Sequence, residues 1–65
     1  MVRINGEEKK VQGMKLTEYL EAEGYRQETI AIECNEEILS KSEYDKKILQ
    51  DGDVLEIVNF VGGGR

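Results

Sequence analysis

Few residues in this 65-residue chain are of a type that could do chemistry. Gly62, Gly63 and Gly64 follow one another near its end, with Arg65 after them, and Cys34 is the single cysteine. Histidine is absent. No nucleophile–histidine pair can therefore be assembled, nor a His-based metal site. One cysteine can form neither an intramolecular disulfide nor a zinc site. An enzyme active site within this chain alone is not expected. The glycines remain. Such a run has maximal backbone freedom, no side chain to pack, and a width that fits a slot closed to other residues. It is fed by the apolar run Val54–Val58, interrupted only by Glu56. A buried strand leading into a bare tail suggests a chain whose working part is a terminal carboxyl. Frayed termini are also glycine-rich, so the rest of the chain has to weigh in.

The composition narrows the class. Sixty-five residues allow one small domain, near the lower limit for a core without disulfides or metals. A net charge of −5 argues against nucleic acid, since phosphate binding needs a basic face. It argues equally against anionic membrane surfaces. No apolar run approaches the roughly 20 residues that span a bilayer, and no signal-peptide pattern opens the chain. A cytoplasmic protein is the expectation. The acidity reads as solubility and as steering toward a basic docking surface.

The elements that must position the tail follow from periodicity. Val2 and Ile4 alternate with Arg3, giving a half-buried strand over Met1–Asn5. Asn5-Gly6 predicts a type I′ hairpin, because both central positions of that turn need positive φ. The return strand, about Glu8–Gln12, is polar apart from Val11 and reads as an edge, with Lys9 and Lys10 guarding it against aggregation. Leu16, Tyr19 and Leu20 fall at helical spacing, so a short helix is expected from about Lys15 to Glu23, closed by Gly24. Its start is poorly specified, for no capping residue precedes Leu16. Tyr25–Thr29 is polar connection. Thr29–Cys34 reads as a third strand with Ile30, Ile32 and Cys34 on one face, Asn35-Glu36 as a turn, and Ile38-Leu39 as a short fourth strand. Ser40–Asp45 is a loop with one helical turn, Ile48-Leu49 returns to the core, and Asp51-Gly52-Asp53 turns into the last strand. Cys34, alternating with Ile30 and Ile32, is read as a small buried hydrophobe. Tyr19 and Tyr44 are read as packing residues, and Glu18, Glu21 and Glu23 as a solvated helix face.

That element order, the Asp51-Gly52-Asp53 turn, and the ending Val54-Leu55-Glu56-Ile57-Val58-Asn59-Phe60-Val61-Gly62-Gly63-Gly64 resemble the ubiquitin-like β-grasp sulfur carriers, and among them the ThiS-like carriers of thiamine biosynthesis. Ile30–Ile38 resembles that family's third-strand segment, with Glu36 where glycine is frequent. The resemblance implies an α+β fold, a mixed sheet with one helix on one face (ββαββ with a short extra strand), the first and last strands pairing in parallel at the centre. Residues 1–61 would form the domain and 62–65 a flexible tail. The expected core is Val2, Ile4, Leu16, Leu20, Ile30, Ile32, Leu55 and Ile57. One helix cannot cover both sheet faces, so Val54, Val58 and Phe60 are expected to form a partner-binding surface.

The resemblance also implies chemistry. In that family an E1-like activating enzyme uses ATP to adenylate the terminal glycine carboxylate. Sulfur from a cysteine desulfurase converts the adenylate to a thiocarboxylate, from which thiazole synthase takes the sulfur. The carrier binds no cofactor itself. Here Gly64 is the expected reactive residue, with Gly63 as the alternative, and Arg65 departs from the pattern. It is removed by a protease, or is an added residue, or leaves the carrier inactive as written. Two rival readings share the fold: a sulfur carrier for molybdopterin or amino-acid synthesis, and an interaction domain with an inert tail.

Overall fold

The computed structural model describes residues 1–60. The domain boundary expected after Val61 and the tail 62–65 lie outside the described residues. Those described form a five-stranded sheet crossed on one face by one α-helix. The strands are β1 (Val2–Ile4), β2 (Glu7–Lys9), β3 (Ile30–Cys34), β4 (Glu37–Ile38) and β5 (Val54–Asn59), and the helix is α1 (Leu16–Glu23). Their spatial order is β2-β1-β5-β3-β4. The last strand thus lies in the middle, parallel to β1 and antiparallel to β3.

Asn5 and Gly6 make the two-residue hairpin turn, with φ of 52° and 84° and Ile4 opposite Glu7. Asn5 has a second task. Its amide N–H donates to the Leu55 carbonyl at 3.0 Å, and its side-chain Oδ1 accepts from the Ile57 N–H at 2.8 Å. The asparagine thereby prolongs the β1–β5 ladder by one rung past the end of β1, which glycine there could not do.

The helix begins without a side-chain cap. The first amide, Leu16 N–H, donates instead to the Lys47 carbonyl at 3.0 Å, beside a lone bridge between Lys15 and Ile48. A neighbouring segment supplies what the local sequence lacks. At the other end Gly24 is left-handed at φ 84°, and the Tyr25 N–H donates to the Leu20 carbonyl at 2.9 Å. Eight residues make a marginal helix by themselves, so α1 is held by burying Leu16, Tyr19 and Leu20 against the sheet.

All eight expected core residues are buried, joined by Tyr19, Cys34, Tyr44 and Leu49. Several expected boundaries shift. The second strand stops at Lys9 rather than reaching Gln12, because the chain turns there: Met14 N–H donates to the Val11 carbonyl, and Val11 packs on the core. The fourth strand is Glu37–Ile38, and Ile38 stands 74% exposed while Leu39 packs inward. Register decides this, since Ile38 lies opposite Glu33 on the face away from the helix. Ile48 is half-exposed and only Leu49 enters the core. Tyr25, read as part of a polar connection, packs against the core.

Candidate functional site

The last strand carries the site. Its inner residues, Leu55 and Ile57, are buried; its outer ones, Val54 and Val58, are 47% and 57% exposed, and Phe60 just beyond it is 60% exposed. The helix covers only the other face. Across β3, Val58 faces Ala31, so the exposed strip is flanked by another small apolar side chain. An amphipathic central strand with its outer side bare is an unusual use of apolar residues, which favour burial in such a position.

The exit from this strand is anchored. The Phe60 N–H donates to the Thr29 carbonyl at 2.9 Å, so the backbone stays paired to the edge of β3 up to the last described residue. Lys41, from the single turn before Tyr44, reaches across. Its Nζ donates to the carbonyls of Gln27 at 2.5 Å and Ile30 at 2.9 Å, and lies 5.3 Å from the Tyr44 ring centre and 5.9 Å from that of Phe60. A cation on an aromatic face is attracted by the ring quadrupole. Lys41 therefore ties together the start of β3 and the point at which the chain leaves β5.

The entrance to β5 is fixed by a buried carboxylate. Asp53 Oδ1 accepts from Asn35 Nδ2 at 3.0 Å, and its Oδ2 accepts from the Gln50 N–H and from Lys47 Nζ, each at 2.9 Å. Asn35 completes the link, its Oδ1 accepting from the Val54 N–H at 3.0 Å. Burial by itself would push the Asp53 carboxyl up. The hydrogen bonds from Lys47, Gln50 and Asn35 outweigh it and hold the group below its ordinary value. The turn at 50–53, the turn at 35–36 and the loop bearing Lys47 are thereby locked to one another where the central strand begins.

Compared with known proteins, the ThiS family model matches residues 2–64. The chain belongs to the ThiS family. Among relatives, the sulfur carrier protein ThiS of Thermus thermophilus is 39% identical over 64 residues, a match covering 98% of this chain and all of that protein. The crystal structure of the thiamine biosynthesis protein ThiS of Geobacter metallireducens superposes with a TM-score of 0.74 at 34% identity, covering 97% of each chain. A thiazole synthase of Paramagnetospirillum magneticum is 45% identical over 62 residues. The chain spans only 19% and 20% of the length of the thiazole synthases it matches.

Within this ThiS-family chain the expected surface residues Val54, Val58 and Phe60 share one exposed face. The expected tail residues Gly62, Gly63 and Gly64 lie outside the described residues. Cys34 is buried against the core, and its thiol is pushed up, first by burial, with Lys47 opposing. That is the opposite of an activated thiolate, so the packing reading holds. Tyr19 and Tyr44 are buried and Glu18, Glu21 and Glu23 exposed, as their spacing implied. Sequence reasoning missed the roles of Asp53, Asn35, Lys41 and Asn5. Only Asp53 carried a signal, as an acidic residue adjoining a glycine turn; its partners are 3 to 18 residues away.

Proposed function

We propose that this chain is a sulfur carrier of thiamine biosynthesis that works through a glycine carboxylate, Gly64, with Gly63 as the alternative. A carboxylate is a poor electrophile. An E1-like activating enzyme, consuming ATP, would convert it to an acyl adenylate, whose AMP is a good leaving group. The persulfide that a cysteine desulfurase supplies then attacks the acyl carbon and displaces AMP, leaving an acyl disulfide; a thiol cleaves its S–S bond, being itself oxidised to a disulfide, and releases the thiocarboxylate that thiazole synthase uses. The carrier supplies position rather than catalysis. Membership of the ThiS family supports the reading, and one structural observation carries it. The central strand, which precedes the glycines in sequence, is clamped at both ends, by Asp53 and by Lys41, with Val54, Val58 and Phe60 bare on its outer side. The names of the relatives, thiazole synthase among them, support the pathway. The described residues contain no helix long and apolar enough to cross a membrane, in keeping with a cytoplasmic carrier.

The test is intact mass. A chain ending at Gly64, incubated with the activating enzyme, ATP, a persulfide source and a thiol reductant, should gain the difference between sulfur and oxygen. The chain retaining Arg65 should not, unless that residue is first removed. Gly63→Val should block the exchange, because a slot built for glycine has no room for a branched Cβ. Reaction only after loss of both Gly64 and Arg65 would move the site to Gly63. No exchange in any form, with the enzyme active on another carrier, would leave an interaction domain with an inert tail.

A further inference from the structure

Lys41 is an exposed lysine held in a fixed place. Although the chain has 14 acidic residues, none of the ion pairs among the described residues uses it. Its charge goes instead to two backbone carbonyls, those of Gln27 and Ile30, and to two rings, Tyr44 and Phe60. A lysine held so loses much of its rotamer freedom. Its base is fixed as well. The turn it opens, Lys41–Glu43, is closed by two bonds: Ser40 N–H donates to Glu43 Oε1 at 3.2 Å, and Glu43 N–H to the Ser40 carbonyl at 2.9 Å. Tyr44, which follows, is buried, and its N–H donates to the Lys41 carbonyl at 3.1 Å.

The two carbonyls that Lys41 holds bracket a third. Thr29 lies between Gln27 and Ile30, and its carbonyl accepts from the Phe60 N–H at 2.9 Å. Phe60 is therefore held twice, its backbone by Thr29 and its ring by the cation that fixes the segment carrying Thr29. The ring does not fill the core, for Phe60 is 60% exposed. What these contacts order is the residue at which the chain leaves the sheet, 4 positions before Gly64. Four residues reach at most about 14 Å, so the direction set at Phe60 limits where Gly64 can be delivered.

We infer that Lys41 is a positioning residue: its ammonium orders Phe60 in the free protein and so presents the glycines in one direction to the enzymes that receive them. The inference deepens the proposed function and rests on it for the choice of those enzymes. Lys41 takes no part in the chemistry and needs no contact with a partner. Without it, the backbone of residue 60 has to be ordered when the chain enters an enzyme, and that cost falls on binding. Once bound, the glycines lie as before, and the chemical step is unaltered. Arginine can replace Lys41, since a guanidinium also donates to carbonyls and stacks on rings. Methionine, with an unbranched stem but no charge, cannot.

Backbone order parameters of the free protein test the ordering directly. In Lys41→Met the amide of Phe60 should lose order, while those of Leu55 and Ile57 keep theirs and Lys41→Arg stays near wild type. Kinetics with chains ending at Gly64 test the consequence. KM for the activating enzyme should rise about fivefold in Lys41→Met with kcat unchanged, and Kd for thiazole synthase should rise by the same factor. Fivefold is about 1 kcal/mol, the low end for ordering one residue's backbone, because the Thr29 bond remains. Lys41→Arg should restore both. Unchanged order at Phe60 would overturn the inference, as would a loss in kcat or a failure of arginine to restore. A penalty confined to one of the two enzymes would overturn it too, by revealing a direct contact with that enzyme. Should Lys41→Met melt below the assay temperature, Phe60→Leu decides: it removes only the exposed ring, and the amide of residue 60 should again lose order. A wild-type chain that neither enzyme accepts would remove the functional reading, while the order parameters, which need no enzyme, still decide the role of Lys41.

Discussion

Replacing Asp53 by asparagine changes one oxygen to an NH2 group, and the structure says why so small a change is costly. The carboxylate receives three donors, one on Oδ1 and two on Oδ2. An amide has one oxygen. Keeping it at the Oδ2 position preserves the Gln50 contact and turns an NH2 toward Asn35 Nδ2. Rotating Asn35 does not help, because its own oxygen is held by the Val54 N–H. One donor therefore always faces another donor. Leaving a buried group unsatisfied costs about 1–3 kcal/mol, and loss of the Lys47 pair, only partly shielded from water, adds up to about 1 kcal/mol. The sum is about 1–4 kcal/mol, against roughly 3–10 kcal/mol for a whole domain of this size. At about 4–8 °C per kcal/mol, Tm at pH 7 should fall by roughly 4–30 °C. The pH dependence isolates the charge. Asp53 is held below its ordinary value in the fold, so its contribution is complete above the unfolded value of about 4 and is lost as pH falls through the folded value. Circular-dichroism melts of both proteins from pH 7 down to pH 2 should show the gap narrowing below about pH 4. A gap that stays constant across that range would refute the assignment of its charge-dependent part to the carboxylate, and no loss at pH 7 would refute the whole argument.

Leu20→Ala removes a fully buried helix side chain and should cost about 2–5 kcal/mol, read from urea midpoints; a wild-type midpoint would mean the helix is not held by this face. Glu36 sits at φ 71°, a left-handed conformation that costs an L-residue about 1–2 kcal/mol. Set against the extra chain entropy of glycine, about 0.4–1 kcal/mol, Glu36→Gly should raise stability by about 0.5–1 kcal/mol. Glu36→Gln, which retains the Cβ, should recover little of this, and an equal rise in both variants would assign the gain to charge instead.

The hairpin at Asn5-Gly6, the buried stripe of α1, the alternation of β3 and the turn into β5 were legible from the chain alone, since each depends on residues within a few positions of one another. Local sterics dictate positive φ at Asn5 and Gly6, and period alone separates Leu55 and Ile57 from Val54 and Val58. The family, and with it the glycines as the candidate reactive end, was legible in the terminal run. What the sequence left undetermined depends on distant partners. Nothing near Leu16 reveals that the helix starts on the Lys47 carbonyl. Ile38 and Ile48 have the apolarity of core residues, yet both stand exposed, Ile38 because its register opposite Glu33 turns it away from the helix. Asp53 became a structural centre, and Lys41 a clamp beside Phe60, only when folding brought their partners within hydrogen-bonding distance. The opposition of Glu33 and Glu56 exists only because β3 lies against β5 in one register; a slip by one residue would put every outer side chain on the inner face. Secondary structure follows from short-range sterics and periodicity, while charge environments and exposed surfaces are set by strand order and register, which belong to the whole chain.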